Sequence, residues 1–116
     1  MDAILKQVDD EKDEIIKWRR DFHKHPETGF DLARTSSVVA NLLKDWGIKV
    51  ETGIGKSGVV GTIEGRKGKT VALRADMDAL PMKEENDVSY KSESDGKMHA
   101  CGHDGHTAML LGAAKI

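Results

Sequence analysis

The sequence predicts an α/β fold, read as the opening portion of a larger α/β domain. Three observations carry this. Apolar residues recur at helical spacing near both ends of the chain. Between them lie short β-branched runs separated by glycine-rich turns. The last helical pattern runs to the final residue, Ile116, without a stop signal.

The first helix is expected from about Asp2 to His25. Leu5, Val8, Ile15, Ile16, Arg19 and Phe22 fall near one stripe, which Lys12 interrupts, so half-burial is expected. Pro26 ends it, because the residue before a proline avoids the α region. A second helix is expected over Asp31 to Trp46, with Gly47 as its left-handed stop. A short strand, Ile48 to Glu51, follows. Val59 to Glu64 and Thr70 to Ala75 then read as a hairpin around the loop Gly65 to Lys69. Lys83 to Lys97 is a polar excursion with at most one short strand, Val88 to Tyr90. The final helix starts near Asp104 and is apolar nearly all round, as in a buried helix.

Composition narrows the function classes. The chain has 116 residues, 38% apolar and 33% charged, with a net charge of −2. Such a balance provides no basic field for nucleic acid. No apolar run approaches the length of a membrane span. The acidic start, MDAILKQVDDEKDE, has no apolar core of a secretory signal. A single cysteine excludes an internal disulfide framework and fits a reducing, cytoplasmic setting.

Three stretches could carry chemistry. Met98 to His106 holds the only cysteine, three of the five histidines and Asp104. In extended backbone Cys101 and His103 would face the same side and could chelate one metal, or serve two adjacent ones. Thiolate with imidazole suits zinc and its transition-metal neighbours. Asp104 could cap the last helix or add a carboxylate to the site. The start of that helix would favour a thiolate at Cys101. His99 and His106 read first as surface or capping groups, and Cys101 itself could be a small buried hydrophobe. Two ligands do not complete a zinc site, so others must come from elsewhere.

The second stretch is Leu73 to Pro81. Asp76 and Asp78 lie just past a predicted strand end, where ligands collect in α/β proteins. They could bridge metals or orient a ligating histidine, or they could cap a turn with Arg74 paired to one of them. The third is Arg19 to Glu27. Its two histidines, His23 and His25, sit at a helix C-terminus, where such residues serve the dipole and the last carbonyls. Gly53, Gly55 and Gly58 match no phosphate-binding fingerprint. Ser57 sits in no nucleophile elbow.

RRDFHKHPETGF, ALRADMDALP and GKMHACGHDGHTAMLLGAA, in that order, resemble the N-terminal part of the metallo-amidohydrolases of the aminoacylase and carboxypeptidase type. The nearest branch holds hippurate hydrolase, auxin-conjugate hydrolase and N-acetyldiaminopimelate deacetylase. The resemblance implies an incomplete, metallopeptidase-like catalytic domain: two helices, a short strand, a β-hairpin, a loop and a buried helix. It implies that Cys101 and His103 are metal ligands, and that Asp76 and Asp78 lie in or beside the active site. Asp104 and His106 would stand behind the ligands. It also implies two divalent transition-metal ions (zinc, manganese, cobalt or nickel) in the complete enzyme. The substrate would be an N-acyl amino acid or small peptide, cleaved by metal-assisted attack of water with a glutamate as general base. The family draws that glutamate, further ligands and a smaller lid domain from sequence beyond Ile116. Glu84 and Glu85 precede the cysteine motif, so the base role is not transferred to them.

The expectation is therefore a partial catalytic domain over residues 1–116, inactive alone, with no nucleic-acid or membrane partner. Unpaired strands and apolar helix faces would favour self-association. Two alternatives stand beside it. One is a small metal-binding or structural module that completes its site across chains. The other is a hydrolase using Cys101 and His103 as nucleophile and base, for which no third, orienting group is evident.

Overall fold

The computed structural model describes residues 1–116. Helix α1 spans Asp2–Lys24 and α2 Ala33–Asp45; strands β1 (Lys49–Ile54) and β2 (Gly58–Thr62) form a hairpin; α3 spans His103–Lys115. α1 stops ahead of Pro26, with the His25 N–H returning to the Phe22 carbonyl. Its apolar stripe is covered only in the second half. Trp18, Phe22 and His23 are buried, while Leu5 and Val8 are exposed.

α2 begins two residues later than expected and has no side-chain cap of its own. Glu27 supplies one from the preceding loop. Its carboxylate accepts the Thr35 N–H and hydroxyl, both at 2.6 Å, and the Arg34 N–H at 3.1 Å. Gly47 closes α2 with φ 76°, the left-handed stop expected there.

The hairpin differs from the expected one. Val59 to Thr62 pairs antiparallel with the preceding segment, Lys49 opposite Thr62 and Thr52 opposite Val59. The reason is the turn. Gly53, Gly55 and Lys56 all take positive φ, which reverses the chain within a few residues and introduces a bulge between Thr52 and Ile54. Thr70 to Ala75 is not a strand, and Val71 and Leu73 are 87% and 73% exposed. β-Branched residues favour a pleated, half-buried surface, and this exposed segment finds none to pack on. No strand forms at Val88 to Tyr90 either.

α2 seats closely on β2: a Cβ on Gly61 would lie 3.2 Å from the Leu43 side chain. Trp18, Phe22, Val39, Leu43, Ala108 and Leu111 make the core where the three helices meet. α3 buries one face, not its whole circumference. Ala108, Leu111 and Gly112 turn inward, whereas Met109 is exposed. No helix is long and apolar enough to cross a membrane.

Candidate metal centre

Two isolated bridges fix the exit of the Asp76–Asp78 segment. Ala79 donates its N–H to the Glu27 carbonyl, and Leu80 and Met98 exchange backbone hydrogen bonds. The aspartates are thereby held beside the start of α3. Thr107 adds a hydroxyl bond to the Asp76 carbonyl at 3.0 Å.

His103 is the first residue of α3. Its Nδ1 lies 2.9 Å from the Asp78 carbonyl oxygen and 3.0 Å from Asp78 Oδ1. Both partners are acceptors, so Nδ1 is the donating nitrogen, and in the neutral ring the lone pair then lies on Nε2. A carboxylate that holds one ring nitrogen sets the other up as a metal ligand. Nε2 is 3.9 Å from Asp76 Oδ2, and Arg74 pairs with the other oxygen of Asp76. Asp76 thus makes the arginine pair, while Asp78 orients the histidine.

Cys101 is an exposed free thiol just before α3. The backbone between it and His103 is not extended, because Gly102 is left-handed (φ 89°, ψ 7°). The same-face argument for positions two apart therefore fails here. His106 is exposed, its ring centred 5.9 Å from that of His103. No group of three or more His, Cys, Asp or Glu side chains converges in a metal-holding arrangement within the chain. Thiol and imidazole are donors of the kind transition metals take, and fewer than three such groups come together here.

Asp104 neither caps α3 nor joins this cluster. It is 1% exposed, hydrogen-bonds His23 Nδ1 at 2.8 Å and forms an ion pair with Arg19 Nε at 2.9 Å. His23 presents its other nitrogen, Nε2, to both oxygens of buried Glu84, at 3.0 and 2.9 Å. The Ser92 N–H and the Asn86 amide also bind Glu84. Only His25 behaves as expected for a helix end, donating Nδ1–H to the Asp21 carbonyl. The buried role of His23 and Glu84 went unread in the sequence. The available signal was Arg19, a guanidinium inside the apolar stripe of α1, which calls for a carboxylate partner.

His99 is buried, and neither ring nitrogen has a hydrogen-bond partner. Burial holds its imidazole below the ordinary histidine range, and nearby Asp104 opposes that shift. The reading of His99 as a surface group is corrected accordingly.

Burial pushes both Glu84 and Glu27 up, but hydrogen bonds outweigh it. His23, Ser92 and Asn86 hold Glu84 below the ordinary glutamate value, and Thr35 and Arg34 do the same for Glu27. A carboxylate with a lowered folded-state pKa adds stability at pH values above its unfolded-state pKa. That contribution is lost as pH falls through the folded-state value. The unfolding midpoint in urea should thus decline as pH drops below about 4.5, the unperturbed glutamate value. A Glu27→Gln, Glu84→Gln double variant should be less stable at neutral pH and show a shallower acid decline. An equally steep decline in the variant would place the acid-sensitive groups elsewhere.

The profile of Peptidase family M20/M25/M40 matches residues 72–116, the part that carries both the aspartate pair and the cysteine motif. The chain is 54% identical over its full length to thermostable carboxypeptidase 2 of Saccharolobus solfataricus, covering 31% of that protein. It is 48% identical over 97% of its length to hippurate hydrolase of Campylobacter jejuni, covering 30% of it. A Bacillus subtilis crystal structure, the YXEP protein, is described as a dinuclear metal binding peptidase from the M20 family. It superposes with a TM-score of 0.84 at 41% identity, over 88% of this chain and 29% of that one. The chain thus spans about a third of the length of its curated relatives. From its sequence identity and its superposition, the chain resembles the N-terminal part of the M20 metallo-amidohydrolases along its whole length.

Proposed function

We propose that residues 1–116 form the N-terminal part of the catalytic domain of a two-metal amidohydrolase that cleaves the amide bond of N-acyl amino acids or small peptides. The observation that carries this reading is His103, whose Nδ1 is held by Asp78 so that Nε2 is left as a ligand. Cys101 and His103 would hold the metal, with zinc, manganese, cobalt and nickel as candidates. A bound divalent ion would act as a Lewis acid toward the amide carbonyl. Asp78 keeps the His103 ring in the tautomer that ligates, and Asp76 stands beside Nε2. Glu84 is not the general base, because both its oxygens are taken by His23. The base, the remaining ligands and the lid that closes over substrate belong outside these residues, and the chain alone is inactive. We place it in a reducing, cytoplasmic setting on the strength of its single free thiol.

A second reading has specific support. Since no three donors converge in one chain, two chains could complete a site between them. The exposed Thr70–Ala75 segment, with Val71 and Leu73 outward, offers an apolar surface for such association.

Metal content by plasma mass spectrometry, with sedimentation velocity on the same sample, tests both readings. We expect sub-stoichiometric metal in the wild type, none in a Cys101→Ala, His103→Ala double variant, and no hydrolysis of acyl amino acids by either. One tight ion per dimer, lost in the variant, would favour the shared-site module. Stoichiometric metal retained in the double variant would overturn the assignment of Cys101 and His103.

A further inference from the structure

We propose that His23 is a positioning residue: from α1 it locks the first turn of α3, and with it the Cys101–His103 segment, through Asp104 on one side and Glu84 on the other. The functional meaning rests on the metal-centre reading above; the mechanical claim stands on geometry alone.

His103 and Asp104 are neighbours on the first turn of α3, about 100° apart around the helix. His103 reaches Asp78, and Asp104 reaches His23. Two anchors on different faces fix the rotational phase of that turn, which aims His103 Nε2. The left-handed Gly102 just before it leaves the segment little intrinsic stiffness.

His23 suits this task. Its side chain is 4% exposed, and the two carboxylate side chains it joins are each 1% exposed. An imidazole engaged at both nitrogens cannot turn about its ring axis without breaking a bond at each side. Tyr90 packs edge-on against it at 5.5 Å and in turn lies under Arg19 and Arg20. Glu93 donates its N–H to the Lys24 carbonyl, which ties the same loop to the end of α1. The sites joined lie 61 and 81 residues from His23 in sequence. A side chain needed only to fill the core would have no use for two buried acceptors.

The test is hydrogen exchange by mass spectrometry on the metal-free 116-residue chain, for wild type, His23→Gln, Glu84→Gln and Thr35→Val. Cobalt(II) titration follows, read at the thiolate charge-transfer absorbance. His23→Gln should speed exchange in residues 99–107 by about tenfold while leaving α2 unchanged. It should also weaken cobalt(II) binding about tenfold. Thr35→Val, which loosens the Glu27 cap, should do the reverse: faster exchange in α2, no change at 99–107, and unaltered cobalt binding. Exchange that rises evenly along the whole chain in His23→Gln, or not at all at 99–107, would overturn the proposal. Should His23→Gln fail to fold, Glu84→Gln decides: local acceleration at 99–107 supports it, and unchanged exchange there refutes it. If wild type takes up no cobalt, the metal-centre reading fails, and exchange alone settles the role of His23.

Discussion

Replacing Asp104 by alanine is expected to lower the unfolding free energy by about 3–5 kcal/mol, the cost of stripping one partner from a buried ion pair. The carboxylate is 1% exposed, pairs with the Arg19 guanidinium and hydrogen-bonds the His23 imidazole. Without it, His23 Nδ1 loses its hydrogen-bond partner in a buried site while Nε2 stays on Glu84. Arg19 is 38% exposed and can turn to water, so most of the loss is assigned to His23. Asp104→Asn should cost less, because an amide oxygen can still accept one hydrogen bond. Urea unfolding at neutral pH, followed by Trp18 and Trp46 fluorescence, measures both. A loss below about 1 kcal/mol for the alanine variant would put this cluster in the class of surface ion pairs.

Phe22→Ala should be of similar size, about 3–5 kcal/mol, by a different mechanism. Phe22 is 1% exposed and sits in the core with Trp18, Val39, Leu43, Ala108 and Leu111. Removing the ring loses its transfer free energy and leaves a cavity among three helices that cannot fully collapse. Val71→Ala provides the contrast. Val71 is 87% exposed, so its truncation should change stability by no more than about 0.5 kcal/mol. Equal losses at the two positions would mean that the Thr70–Ala75 segment is buried in solution, as self-association through that segment would require.

Local features of the fold are legible in the sequence. α1 and α2 follow from apolar spacing, and their ends from Pro26 and Gly47, because each signal acts within one or two turns of backbone. α3 was placed within a residue of its start for the same reason. Its periodicity could not say which face is buried, since a mostly apolar helix carries little directional information. The motif around Cys101 and the aspartate pair were visible as concentrations of donor groups, and the family resemblance rests on those same letters.

What only the tertiary structure decided is partnership. Val59 to Thr62 has strand character on either assignment. Whether it pairs backward with Lys49–Thr52 or forward with Thr70–Ala75 depends on where the chain reverses, and positive φ at Gly53, Gly55 and Lys56 sends it back. His23 read as a helix-end histidine because its neighbours in sequence are charged. In space it bridges Glu84 and Asp104, 61 and 81 positions away. Spacing along the chain predicts contacts within a helical turn or across a tight reversal. Burial of an ion pair is set by packing between distant segments, and no local pattern encodes that distance. The sequence alone thus determined the helices, the stops of α1 and α2, and the concentration of donor residues around Cys101. Packing decided that Asp78 orients His103 and that Asp104 turns away from His103 to be held by α1.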